Sequence, residues 1–362
     1  MKILIYGGAF NPVHSAHIKN IELACNKIAF DKIIIIPNKF CHFKNNDELA
    51  SIEDRLEMLD LALSQLKDLN IDIEISKIEI DSEDRLYTND VIDILKEEVK
   101  NAELYFLIGS DQAVQLDKWY KITELKQKVQ FIVTKRDNTV FDETDLIVIE
   151  NEPMPYSSTK IRHHYADSGI ESINKYIRYY GLYLKLVIRN YMGLHRATHS
   201  HNVALLAKEK ATLYNIDENK AYVAGMIHDI GKEVPLEEQY KLIECDKELF
   251  EVNDATVHAF SAYHIAKDEL KIDDEEILCA IKWHTTAYFE MPKLAKLIYV
   301  CDMLSSERDF TGIAELRALL DVDLDECYKQ CFLASYRHLE CKHISISRNL
   351  KKLKEKIERN DF

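Results

Sequence analysis

Short apolar runs alternate with stretches of helical periodicity through residues 1–150. Lys2–Tyr6, Lys32–Ile36, Ile71–Ile80, Leu104–Ile108, Gln130–Val133 and Leu146–Ile149 read as strands. Strands separated by helical segments predict a parallel sheet in an α/β fold. Ser51, with Asp54 three residues on as its capping partner, marks a helix start, and that helix is expected to carry Leu56, Leu59 and Leu63 inward. From about Leu184 the strand signal fades. Val203–Ala207, Ala221–Ile227, Ile277–Ile281 and Leu294–Leu304 place apolar residues at helical spacing. An α/β domain over 1–184 followed by an all-α domain over 185–362, joined near Leu184–Tyr191, accounts for the break. The Lys-rich stretch Asn349–Arg359 reads as a terminal helix with a solvated face.

Composition narrows this picture. A chain of 362 residues exceeds one ordinary core and fits two. With 47% hydrophobic and 30% charged residues, and only 9 Gly and 6 Pro, it has the make-up of a globular protein without a flexible linker. A formal charge of −15 argues against nucleic acid or an anionic membrane as partner, while leaving room for local basic pockets that take small phosphates. The eight Cys contain no Cys-x-x-Cys pair and read as thiols of a reducing cytosol. Lys2–Tyr6 is too short for a signal-peptide core, and no apolar run approaches the roughly 18 residues of a membrane span, so a cytoplasmic protein is expected. Whether it forms a homo-oligomer stays open.

Directly after the first strand stands Gly7-Gly8-Ala9-Phe10-Asn11-Pro12-Val13-His14-Ser15-Ala16-His17. Glycines there let a ligand approach the backbone, and the helix that follows aims unpaired N–H groups and its positive end at it; phosphate is the natural guest. His14 and His17, three apart, share one helical face. A second candidate phosphate site is Ser157-Ser158-Thr159-Lys160-Ile161-Arg162, where hydroxyls, free amides and a guanidinium suit a polyphosphate.

The two motifs together resemble those of the bacterial nicotinate-mononucleotide adenylyltransferases, a Rossmann-like nucleotidyltransferase family. Ala16 stands where that pattern has Gly, and Ser157–Arg162 matches without change. Further matches are Lys44, Arg55, Tyr87-Thr88, Gly109-Ser110-Asp111, Trp119 and Arg136, and the likeness ends with Ile177–Tyr183. The resemblance implies adenylyl transfer from ATP, with Mg2+, to nicotinate mononucleotide. A phosphate oxygen is already an anionic nucleophile, so alignment and charge neutralisation suffice. His14, His17, Lys44 and Arg162 would supply these. Gly7, Gly8, Ala9, Phe10, Gly109, Asp111, Arg136, Ser157, Ser158 and Thr159 would bind nucleotide, with Trp119 against the pyridine ring and Thr88 reading its carboxylate.

The second half carries Arg196-Ala197-Thr198-His199-Ser200, His228-Asp229-Ile230-Gly231-Lys232, His258, His284 and Asp302. Adjacent His and Asp within an apolar helix are costly to bury unless they bind metal or each other. Imidazoles and carboxylates without thiolates suit iron or manganese better than structural zinc. The pattern resembles the HD-domain phosphohydrolases, and through Arg-x-x-His-Ser-x-x-Val (196–203), Ile-Lys-Trp-His-Thr-Thr (281–286) and Tyr-Val-Cys-Asp (299–302), the bacterial symmetrical diadenosine tetraphosphatases. That resemblance implies two divalent ions, iron first among them and manganese or another ion as alternatives. His199, His228, Asp229 and Asp302 would hold one; His258 and His284 would hold the other, with Asp229 between them. Water activated by the metal would cleave a dinucleoside polyphosphate while Lys232 steadies the phosphates. His195, His201 and His264 are assigned outlying roles, as are His42, His163, His164, His338 and His343. The rival readings are another adenylyl- or cytidylyltransferase of the same superfamily, and a helical domain that senses nucleotide without catalysis.

Overall fold

The computed structural model describes residues 1–40, 48–136, 139–244, 251–288 and 290–359. It divides into two compact units, Met1–Arg162 with Ala166–Tyr176, and His163–Tyr165 with Ile177–Phe362.

The first unit is built on six strands, β1 (Lys2–Gly8), β2 (Lys32–Pro37), β3 (Asp72–Ile75), β4 (Glu103–Gly109), β5 (Gln130–Lys135) and β6 (Ile147–Glu150). Their order is β3-β2-β1-β4-β5-β6 and every neighbouring pair is parallel. Ile3–Ile5 and Ile33–Ile36 are buried. A parallel sheet is covered on both faces, so its central strands are continuous apolar runs rather than alternating ones. The helices that begin in it are α1 (Ser15–Lys27), α2 (Ile52–Leu63), α3 (Ile78–Asp81), α4 (Thr88–Glu98), α5 (Ser110–Ala113), α6 (Ile122–Lys128), α7 (Ser158–His164) and α8 (Glu171–Tyr180).

Two expectations change. The strand foreseen over Ile71–Ile80 stops at Ile75, and Ile78–Asp81 is a helical turn. Ser76 N–H still reaches Ile35 O, but its hydroxyl then accepts from Ile78 N, and buried Glu79 accepts from Asn38 Nδ2 at 3.0 Å; these polar contacts pull the chain out of the sheet. Helix α2 does start at Ser51, whose hydroxyl accepts from Asp54 N at 3.0 Å. Its buried face is Arg55, Met58, Leu59 and Ala62, while Leu56 and Leu63 are only half-buried. Arg55 sets that rotation: its Nη1 donates to Ala9 O (3.0 Å) and Asn38 O (2.8 Å), tying together the loops that follow β1 and β2. A buried guanidinium is tolerated only with such partners.

In the second unit, regular structure from Leu184 onward is helical throughout the described residues: α9 (Leu184–Val187), α10 (Leu194–Ala211), α11 (Glu218–Ile227), α12 (Leu236–Leu242), α13 (Val257–His264), α14 (Glu275–Trp283), α15 (Lys293–Leu304), α16 (Ile313–Leu320), α17 (Leu324–Cys341) and α18 (Arg348–Glu358). Asp217 caps α11 and Asp274 caps α14, each accepting from two backbone N–H groups of the first turn. Helix α10 packs on α11 and α15, and α14 packs on α11, α13 and α15. Leu353 and Ile357 anchor α18 while Lys351 and Lys352 face outward. The six described cysteines are free thiols, with Cys301, Cys327 and Cys331 buried. Among the described residues no helix is long and apolar enough to cross a membrane.

The α10–α11 contact needs a glycine. A Cβ on Gly225 would lie 2.5 Å from Ala204 Cα, a backbone atom that cannot give way alone. Gly225→Ala should therefore separate the two helices and lower stability by about 1–3 kcal/mol, read as a lower urea midpoint by circular dichroism. An unchanged midpoint would show that the helices slide apart freely.

Candidate active sites

The strand order reverses between β1 and β4, and in open α/β sheets the crevice at that point, beyond the carboxyl ends of the strands, receives ligand. A cleft of about 250 Å³ opens there. Gly7, Gly8, Ala9 and Phe10 reach it from the end of β1, Gly109 from the end of β4, Asp111 from α5 and Arg136 from just beyond β5; His14 and His17 come from the start of α1, Ser157 from just before α7, and Ser158, Thr159 and Arg162 from α7. Ala16, also at the wall, lies in α1, where alanine suits the helical backbone.

Local geometry assigns several of these groups. The His14 and His17 rings lie 3.9 Å apart between centroids, and His14 N–H donates to His17 Nδ1 at 3.1 Å. Neutral His17 therefore carries its proton on Nε2. Arg162 is buried, with Nη1 donating to Asn11 O (2.8 Å) and Nη2 to Glu48 Oε2 (3.2 Å). Ser158 Oγ donates to Pro12 O at 3.0 Å. Two polar groups of the Ser157–Arg162 motif thus clamp the loop that carries the histidines. The Asn11 side chain closes the arrangement, donating to Glu48 O (2.9 Å) and accepting from Ala50 N (3.0 Å). Arg136 and Asp111 pair at 3.6 Å across the cleft. Burial pushes the Tyr6 hydroxyl up to about 12, so it stays neutral and accepts from Asn20 Nδ2 at 3.2 Å.

A second pocket of about 560 Å³ shares Gly7, Gly8, Ala9 and Gln112 with the first. Trp119 lines it, held edge-on against Phe106 (6.0 Å, 89°) and Phe131 (6.2 Å, 80°). Thr88, at the start of α4, lines it as well, beside Arg85 and Lys118. Lys44 lies outside the described residues.

In the second unit the six motif residues converge. His199 comes from α10, His228 and Asp229 from just beyond α11, His258 from α13, His284 from just beyond α14 and Asp302 from α15. One ligand atom from each of His199, His228 and Asp302 lies within 4.8 Å of the others, and the same holds for His228, Asp229 and His284. Asp229 Oδ1 is 3.4 Å from His258 Nε2 and 3.5 Å from His284 Nε2, while Oδ2 is 2.6 Å from Arg196 Nη1 and 3.9 Å from His228 Nε2. Asp302 Oδ1 is 3.0 Å from His199 Nε2 and 3.1 Å from Arg308 Nη2. Lys232 Nζ is 3.1 Å from His258 Nδ1, inside the cluster.

The imidazoles are anchored from behind. His228 Nδ1 meets Gly225 O and His284 Nδ1 meets Ile281 O, each at 2.7 Å, which directs both Nε2 lone pairs inward. His228 Nε2 is buried and makes no hydrogen bond among the described residues. An inward acceptor without a donor, surrounded by nitrogen and carboxylate groups, fits a divalent ion. Burial, reinforced by His284, lowers His258 to about 3; burial also lowers His228. Burial alone would raise Asp229, but His228, His284 and His258 hold it well below the usual carboxylate range. Neutral imidazoles and ionised carboxylates are the ligand forms metals need. Gly231 lets His258 come near, since a Cβ there would lie 2.6 Å from His258 O and 2.3 Å from Ser261 Oγ.

Several contacts escaped the sequence. Asn11 and Thr285 lie inside the quoted motifs but received no role there, while Glu48 and Glu307 sit in stretches without a distinguishing pattern. Arg55 had a signal, a charge on the apolar face of α2.

These features define an α/β nucleotidyltransferase unit joined in one chain to a metal-binding helical unit. A cytidylyltransferase-like family model matches residues 5–164, and an HD-domain model, which implies divalent metal binding, matches 196–307. A protein named probable nicotinate-nucleotide adenylyltransferase from Staphylococcus haemolyticus is 33% identical over 188 residues, covering 50% of this chain and 96% of that protein. Through its first half the chain belongs to the nicotinate-nucleotide adenylyltransferase family. A protein of Mycoplasma genitalium named probable nicotinate-nucleotide adenylyltransferase/Ap4A hydrolase is 28% identical over 349 residues, 94% of this chain and 98% of that one. A crystal structure from Clostridium acetobutylicum, described as a predicted HD superfamily hydrolase involved in NAD metabolism, is 30% identical with a TM-score of 0.45, covering 49% of this chain and 96% of that one.

A bound ion stabilises the folded state by mass action. Protein stripped with a chelator should melt at lower temperature, and added Mn2+ should restore it; a melting curve indifferent to Mn2+ counts against a metal centre. The metal-free protein should also be acid-sensitive. His258 titrates near 3 in the fold against 6.5 when free, so the unfolded chain holds the extra proton between these values and stability falls as pH drops from 6.5 toward 3. His258→Gln should flatten that dependence of the urea midpoint.

Proposed function

We propose that the first unit transfers the adenylyl group of ATP to nicotinate mononucleotide, forming nicotinate adenine dinucleotide and pyrophosphate. We propose further that the second unit hydrolyses diadenosine tetraphosphate or a related nucleotide. What carries the first reading is the pair of adjoining pockets that meet at Gly7–Ala9. One, rimmed by histidines, hydroxyls and arginines, suits a triphosphate; the other offers an indole face to a pyridine ring. A phosphate oxygen of the mononucleotide attacks the α-phosphorus of ATP as the α–β bridge breaks and pyrophosphate leaves; Mg2+ brought by ATP would neutralise charge on the leaving pyrophosphate. His17, through Nε2–H, and His14 neutralise the charge that builds on the phosphates, with Lys44 and Arg162 contributing. Gly7, Gly8, Ala9, Phe10, Gly109, Asp111, Arg136 and Ser157–Thr159 hold the nucleotide, while Trp119 and Thr88 hold the pyridine ring and its carboxylate.

In the second unit His199, His228, Asp229 and Asp302 would hold one ion and His258 and His284 the other, with one oxygen of Asp229 facing each. Iron is the first choice for this thiolate-free set, with manganese as the alternative. Such ions activate water and screen phosphate charge. Arg196, Lys232 and Arg308 surround the carboxylates and would take up the substrate's phosphates once these displace their present contacts.

Chromatography of the products tests both halves. With ATP and nicotinate mononucleotide the dinucleotide and pyrophosphate should appear; turnover of phosphopantetheine in place of the mononucleotide overturns the first reading. His17→Ala should lower kcat about 10²–10³-fold. Trp119→Ala should raise the KM for the mononucleotide roughly 10-fold, in line with an aromatic–base stack of about 1–3 kcal/mol, and leave that for ATP unchanged. Asp229→Asn should abolish conversion of diadenosine tetraphosphate to ADP while adenylyl transfer continues; intact hydrolysis in that variant overturns the second reading.

A further inference from the structure

The metal-facing imidazoles are supported in two different ways. His228 and His284 lie just past the ends of α11 and α14, where the last carbonyls of a helix have no partner within it, and each ring uses the carbonyl three residues back. His199 has no such recourse. It is the sixth residue of the 18-residue helix α10, whose carbonyls there are engaged in the helix itself. Its Nδ1 is met instead by the Oε1 of Glu307, which comes from the segment after α15. The other Glu307 oxygen, Oε2, accepts from Asn202 Nδ2 at 3.1 Å, one turn further along α10. This pairing of both oxygens fixes the carboxylate against the helix although its side chain is 34% exposed.

An anionic partner on Nδ1 makes the opposite nitrogen a stronger donor than a neutral carbonyl does, and it fixes ring orientation. We propose that Glu307 is a positioning residue for His199, and that it makes the two metal positions unequal: the ion beside His199 and Asp302 is bound more tightly than the ion beside His258 and His284. The proposal rests on the metal-centre reading given above.

The test is titration of the metal-stripped full-length protein with Mn2+ alone, followed by calorimetry and by the electron paramagnetic resonance of free Mn2+. The unaltered chain should show two classes of site. In Glu307→Ala the tighter class should weaken about 10–100-fold while the weaker class keeps its affinity. Glu307→Gln, which still accepts from Nδ1 but carries no charge, should fall between. His284→Ala should remove the weaker class and spare the tighter one. The melting temperature of the metal-free variants should match that of the unaltered chain, which separates ligand positioning from general support of the fold. Two unchanged classes in Glu307→Ala overturn the proposal, as does equal weakening of both, or a metal-free protein that no longer folds in both Glu307 variants. Failure of the unaltered chain to bind Mn2+ overturns the metal-centre reading and this proposal with it, whereas binding in one class of two equivalent ions overturns only the proposal.

Discussion

Regular secondary structure satisfies its own backbone everywhere except at its ends, and both candidate sites draw residues from those ends, although His199 sits well inside α10. In the first unit Gly7–Gly8 and Gly109 finish β1 and β4, where the strand order reverses. In the second, His228, Asp229 and His284 come just after α11 and α14, where spare carbonyls orient the rings. The frame around each site is continuous and apolar, so the polar groups collect where the frame stops.

Burying those groups imposes a second condition, that each charge have a partner. Arg55 meets it with two loop carbonyls, and so joins the β1 and β2 loops beneath the first cleft. Arg162 meets it with Asn11 O and Glu48, which ties α7 to the loop carrying the histidines. Asp229 meets it with Arg196 on one oxygen and two imidazoles on the other. In each case the contact that makes burial tolerable also positions a site.

Linking an adenylyltransferase-family unit to an HD-domain unit has a chemical logic. On the proposed reading both would handle phosphoanhydrides, one by alignment of two anions that need no general base, the other by a dense set of nitrogen and oxygen donors. The two demand different frames. A phosphate chain lies along glycine-rich backbone and helix N-termini, whereas a compact cation site needs side chains converging from several helices, here α10, α11, α13, α14 and α15.

Local order in the sequence determined a great deal. Continuous β-branched runs separated by helical periods announced a parallel sheet, the loss of those runs after Leu184 announced helices, and Ser51 with Asp54 announced the start of α2. The glycine, histidine and hydroxyl motifs, and the His and Asp motifs of the second half, marked which residues the structure would gather. Tertiary structure decided the rest. It ended β3 at Ile75, because buried Glu79 and Ser76 found partners outside the sheet. It turned α2 so that Arg55 rather than Leu56 faces inward. It also brought Glu48 to Arg162 across 114 positions and Glu307 to His199 across 108. A partner so distant leaves no local pattern, since it is chosen by an unpaired charge that only the folded chain brings within reach.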